Sequence, residues 1–177
     1  YERVKEEQFS HRVMLGEQGE IAIPTVEFNL IFQLTHIYAH LMNEGIGLRQ
    51  LLDYYFVLIS DDLLLIRDRV QKELKKLGLW KFAGAIMYIM QEVFGMSASR
   101  LITPPNEKYG RFVLNEVLEA GNFGKHDARN RFGKSKLGHN LQRVYRDIRL
   151  VRYFPAEAMS EPFFRVWHFF WRLKHRR

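Results

Sequence analysis

Between Phe28 and Asp53 the chain reads FNLIFQLTHIYAHLMNEGIGLRQLLD, and this stretch constrains the fold more than any other. Up to Met42 it is almost wholly apolar except for one row, Asn29, Gln33, His36 and His40, spaced four, three and four. Residues three and four apart are neighbours on a helix surface, so this spacing sets all four on one side of a helix. A face meant for water is normally written in Lys, Glu and Arg. Amides and imidazoles instead suit a partly dry site, where each must find a partner. Left unpaired, each buried group costs roughly 1–3 kcal/mol. A Gly-x-Gly break follows, and then a helix that opens with Arg49 and Asp53.

The 177 residues, 47% of them apolar, can bury a substantial core. Without cysteine there is neither a disulfide framework nor a thiolate metal site, which agrees with a reducing compartment. No apolar run approaches the roughly 18–20 residues that span a bilayer, and YERVKEEQ at the N-terminus lacks a signal-peptide core. No transmembrane segment is therefore expected, and the cytoplasm is the expected location. Because the chain begins with Tyr1 rather than Met, it is expected to be cut from something longer. Charge is uneven: residues 129–177 hold 13 Lys and Arg against 3 acids, whereas the first 128 hold 14 against 17. A concentrated positive end suits an anionic partner or an acidic neighbouring domain, and equally a solvated basic surface.

Glycines and prolines divide the chain into four parts: 1–24 with a small hairpin, a helical core over 25–120, a basic Gly-rich loop over 121–138, and basic aromatic helices over 139–177. Val13 to Ile23 has two short β-type runs about a Gly-flanked turn. Thr25 should cap the seam helix, running from Val26 to about Met42 and stopping near Gly45. Further helices are predicted at Leu48–Ile59, from a Ser60 cap to Lys76, at Leu79–Phe94 and, capped by Asn106, up to Ala120. Leu137–Arg152 is amphipathic with Arg143, Arg146 and Arg149 off its apolar stripe, Pro155 ends it, and a last helix runs over Glu161–Lys174. The fold class is thus mainly α, a bundle of about six or seven helices with a small N-terminal β-hairpin.

Four constellations carry candidate chemistry. His36 and His40, an i,i+4 pair, can place two imidazoles on one metal, with Asp53 or Glu44 as third ligand. HIYAH, however, lacks the Glu that HExxH places beside its first His, so zinc-protease chemistry is unsupported. The other readings are hydrogen bonds inside the fold, to Asp53, Tyr54 or a neighbouring domain, and direct contact with a phosphate or nucleotide. Arg49 and Asp53 are also i,i+4, in the weaker order for a helical salt bridge. Arg49 can hold a phosphate or carboxylate with its planar fork and Asp53 can orient a histidine, or the two can fix one helix against another. Ala128 to Ser135 (ARNRFGKS) fits a relaxed phosphate-loop pattern, but helix rather than strand precedes it and Arg-Asn-Arg-Phe curls poorly. The end, with FFRVWHFFWR, reads as core, as an interface with a missing domain, or as a surface for membrane or bases.

The run IPTVEFNLIFQLTHIYAHLMNEGIGLRQLLDYYFVL resembles the helical half of the uncharacterised bacterial nucleotidyltransferase-like family, and RYFPAEAMSEPFFRVWHFFWR is similar to the ends of its members. The resemblance assigns His36, His40, Arg49 and Asp53 to the family motif without giving them roles. It also implies a Gly-Asp-x-Asp element on a strand, whose carboxylates hold two metal ions. The sequence has none, and Asp61-Asp62 is better suited to capping.

The function expected is the C-terminal helical portion of a nucleotidyltransferase, supporting nucleotide or acceptor binding through Asn29, Gln33, His36, His40, Arg49 and Asp53. No catalytic residue and no metal ligand is assigned in this chain. Mg²⁺ is expected only with the missing catalytic core, the N-terminal domain of the same protein is the expected partner, and the chain alone is expected to be inactive. The alternative is a stand-alone helical module binding nucleic acid or another polyanion through Arg143, Arg146 and Arg149.

Overall fold

In the computed structural model the described residues are 2–43, 45–120, 138, 144–145 and 148–175. The chain is mainly helical with a two-stranded antiparallel hairpin near its start, as the pattern predicts. Contacts divide it into two units, residues 1–37 with 48–114, and residues 38–47 with 115–177.

The first unit opens with α1 (Glu2–Ser10) and a hairpin of β1 (Arg12–Met14) and β2 (Glu20–Ala22), with Val13 opposite Ile21. Gly16 and Gly19 take positive φ around the 3₁₀ turn between the strands, where a side chain would be strained. The Gln8 side-chain oxygen accepts from the Thr25 amide at 2.7 Å and hydroxyl at 3.1 Å, tying α1 to the start of α2 (Val26–Asn43). Thr25 Oγ1 in turn accepts from the Phe28 amide at 3.3 Å, the N-cap the sequence calls for.

α3 (Leu48–Leu58) buries Leu51, Tyr54 and Leu58, and α4 (Leu63–Lys76) buries Leu63, Ile66, Val70 and Leu74, each a stripe of three- and four-residue steps. The expected Ser60 cap is not made. Asp62 holds the N-cap position, without a side-chain bond, and α4 starts at Leu63. Ser60 contributes its carbonyl instead, accepting from the Leu63 amide and from Arg100 at 2.7 Å. α4 stops at Gly78, whose φ of 71° lets Gly78 and Leu79 donate back to Lys75 and Leu74.

Both α3 and α4 pack on α5 (Trp80–Glu92), where Phe82 through Met87, Ile89 and Met90 are all buried. Residues 97–103 are clamped by α4 side chains: Arg67 donates to the Ser99 carbonyl and Gln71 to that of Ile102 at 2.8 Å. α6 (Glu107–Ala120) follows, its Tyr109 amide capped by the Asn106 side chain at 3.3 Å as predicted. Two glycines let this segment approach α5. A Cβ on Gly84 would sit 3.1 Å from the Pro104 carbonyl oxygen, and one on Gly110 would sit 2.3 Å from the Tyr88 ring.

The second unit contains the end of α2, the end of α6 and α7 (Pro155–Lys174). Pro155 was expected only to end a preceding helix. It also starts the next, since its missing N–H and fixed φ suit a first helical turn, so α7 begins six residues before Glu161. Tyr38 and Phe154 meet edge to face at 5.8 Å in this unit. The Gly-rich segment over 121–137, with ARNRFGKS, and the greater part of the predicted Leu137–Arg152 helix lie outside the described residues.

Helix propensity alone would make Gly110→Ala favourable by about 1 kcal/mol. The overlap with Tyr88 reverses the sign, and a net loss of about 1–2 kcal/mol in urea unfolding is expected. Tyr88→Ala, which removes the ring, combined with Gly110→Ala should recover part of that loss, whereas additive losses would refute the clash.

The Tyr54 hydroxyl is buried with no hydrogen-bond partner in the structure, and desolvation pushes its pKa well above the ordinary 10.0. The unfolded chain therefore ionises first, so this group's contribution to stability is complete below pH 10 and is lost as pH rises above it. Tyr54→Phe is expected to be neutral or stabilising by up to about 1 kcal/mol at pH 7. Its urea midpoint should also fall less between pH 9 and 11 than that of the parent.

Candidate functional site

α2 buries Leu30, Leu34, Ile37 and Leu41, a stripe with the same four-three-four spacing as the polar row and one residue behind it. One residue is about 100° of helix rotation, so the row flanks the buried stripe instead of entering it. Asn29, Gln33 and His40 are half-buried and His36 is exposed. The dryness inferred from the side-chain types is therefore only partly realised. Within the row, Gln33 Nε2 donates to Asn29 Oδ1 at 2.9 Å.

His36 also ends a second row. Phe28 stacks on Phe32 with ring centroids 5.8 Å apart, and Phe32 stacks on His36 at 6.1 Å, both within 11° of parallel. Phe32 is exposed, so α2 displays aromatic faces beside its amides. The sequence carries that signal as Phe28, Phe32 and His36 at four-residue steps, but the continuous apolar run around them hides it.

On α3, Arg49 and Asp53 are exposed, turned away from Leu51, Tyr54 and Leu58. Neither takes part in a hydrogen bond or ion pair among the described residues. The structural readings drawn from the sequence, a pair fixing one helix against another and a carboxylate orienting a histidine, are thus not made there. Nor does Tyr54 receive a seam histidine, its hydroxyl being without a partner. Beside the charged pair, Leu48, Leu52 and Phe56 form an exposed apolar row at four-residue steps. α3 is thus apolar on two sides, which a search for one amphipathic stripe overlooks.

Among the described residues no group of three or more His, Asp or Glu is placed to hold a metal ion. His36 and His40 are not joined there by Asp53, and Glu44 lies outside the described residues. Of the basic candidates, Arg143 and Arg146 also lie outside them. Arg149 is largely buried and pairs with Glu116 at 3.3 Å, its guanidinium carbon 5.4 Å from the Tyr145 ring. Its Nε and Nη1 are buried without hydrogen bonds. Glu116, one residue before the buried Val117, is a partner the sequence reading did not single out.

The family model described as uncharacterised nucleotidyltransferase matches residues 4–95. That span holds the whole polar row, the aromatic stack, Arg49 and Asp53. No curated protein and no solved structure matches the chain.

Removing one partner of a largely buried ion pair leaves the other charge uncompensated. Glu116→Gln is expected to cost about 2 kcal/mol in chemical denaturation, less than a fully buried pair because 17% of the Arg149 side chain remains accessible. Stability unchanged at low and high salt would show that the pair contributes nothing.

Proposed function

The chain belongs to the uncharacterised nucleotidyltransferase family, and from that membership we propose that it supports nucleotide or acceptor binding in such an enzyme, with the metal-holding carboxylates elsewhere in the same protein. The observation that carries this reading is the state of Arg49, an exposed guanidinium without a partner among the described residues, inside the family-matched span. A planar fork of N–H donors suits the paired oxygens of a phosphate, and an arginine engaged within the fold could not supply it. Asp53, one turn on, is an acceptor for a sugar hydroxyl or a base amine. The exposed edge of Phe32, held between Phe28 and His36, adds apolar surface beside these groups.

Nucleotidyl transfer needs an acceptor hydroxyl to attack the α-phosphorus while pyrophosphate departs, and paired metal ions stabilise both oxygens. This chain has no Gly-Asp-x-Asp element to hold them. Its adjacent acids, Asp61 and Asp62, are exposed at the start of α4, with Asp61 Oδ1 3.8 Å from Arg100. On this reading the chain supplies binding groups, and carboxylates of the catalytic part hold the Mg²⁺.

The 177-residue chain is expected to bind a nucleoside triphosphate in calorimetric titration, with affinity reduced about tenfold or more in Arg49→Ala. It is expected to release no pyrophosphate from any of the four common triphosphates with Mg²⁺. Undiminished binding by the variant would remove Arg49 from the site, and turnover would refute the division of labour.

A second reading rests on the charge of residues 129–177, where 13 basic residues face 3 acids. A helical module binding nucleic acid there would show a salt-sensitive mobility shift, lost on neutralising Arg143 and Arg146. Arg149, already paired with Glu116, would add little.

A further inference from the structure

α7 carries a face that the nucleotide reading does not use and that lies outside the family-matched span. Phe163, Val166, Trp167, Phe170 and Leu173 are 52–72% exposed, and Trp171 is 45% exposed at their edge. Their three- and four-residue steps put them on one side of the helix. A contiguous apolar surface of this kind marks a binding face. Its composition indicates what it binds. From Phe163 to Arg177 the sequence has five Lys and Arg and no acid. Lys174 continues the apolar row one turn beyond Phe170, and Arg172 is exposed beside it.

The partner must therefore offer negative charge and an apolar interior together. A nucleic acid meets the first condition, but Val166 and Leu173 gain nothing from stacked bases. A bilayer with anionic headgroups meets both, since phenyl and indole rings enter the acyl boundary while cations remain among the phosphates. Spanning is a different matter, because no helix of the described residues is long and apolar enough to cross.

We propose that α7 lies along an anionic lipid surface, with Phe163, Trp167 and Phe170 at the acyl boundary and Arg172 and Lys174 at the headgroups. The helix is parallel to the membrane plane, an attachment of moderate strength set jointly by buried apolar area and charge.

The test is co-sedimentation of the full 177-residue chain with vesicles of phosphatidylcholine alone or mixed with phosphatidylglycerol, with tryptophan emission recorded in parallel. Binding to the mixed vesicles, weakened by salt and accompanied by a blue shift from Trp167 and Trp171, is expected. Arg172→Gln with Lys174→Gln should lower partitioning about twenty-five-fold, at roughly fivefold per cation. Phe163→Ser with Phe170→Ser should lower it by more than about tenfold. All four side chains are exposed, so circular dichroism should show that the variants remain folded. Equal binding to both vesicles, binding to neither, or binding that survives the Phe substitutions would overturn the proposal. So would Phe substitutions that change only the oligomeric state in the absence of lipid, because the face would then be a protein interface.

Discussion

A helix buried over most of its surface sets the terms for the first unit. α5 buries Phe82 through Met87 in unbroken succession, then Ile89 and Met90, so neighbours must close around it. α3 and α4 supply apolar stripes on it. The segment leading into α6 approaches differently, with backbone: the Asn106 amide donates to the Gly84 carbonyl at 2.8 Å, and the same residue's side chain caps α6. Gly84 and Gly110 are the positions where a methyl group would keep the two elements apart. Arg67 and Gln71 then fasten the intervening 97–103 stretch by the carbonyls of the exposed Ser99 and the buried Ile102.

Much of this was legible in the sequence, where local chemistry decides the outcome. Thr25 and Asn106 cap their helices because a short side-chain oxygen reaches the free amides of a first turn, and Gly78 ends α4 because a left-handed residue is needed there. Ser60 misled because an N-cap preference says only that a hydroxyl is suitable; Arg100 claims the Ser60 carbonyl from forty residues away, and no local pattern carries that. The most apolar stretch by eye, the seam helix, is not the most buried one. α2 keeps Phe32 and His36 exposed, whereas α5 owes its central place to small residues, Ala83, Gly84 and Ala85, that admit close neighbours.

For the candidate site the sequence nominates members, and the structure supplies their environment. Residue types identified Asn29, Gln33, His36, His40, Arg49 and Asp53, but a row can flank a buried stripe or enter it, and only the packing of Leu30, Leu34, Ile37 and Leu41 decides which. Arg149 shows the converse. In sequence it is one of three similar cations on a helix, and in the structure Glu116 and the Tyr145 ring surround it. Charge at the end of the chain is thus not uniformly available to an outside partner.

The bond between Gln33 and Asn29 also gives the polar row a direction. An amide has one accepting and one donating end, and this contact engages the donating end of Gln33 and the accepting end of Asn29. The ends left wholly unengaged by this contact are the opposite ones, the carbonyl oxygen of Gln33 and the NH₂ group of Asn29, while one N–H of Gln33 and one lone pair of Asn29 also remain. Along α2 the wholly unengaged ends are therefore a donor at Asn29 and, one turn on, an acceptor at Gln33. Two side chains that are individually indifferent to orientation thus acquire, once joined, a preferred polarity along the helix.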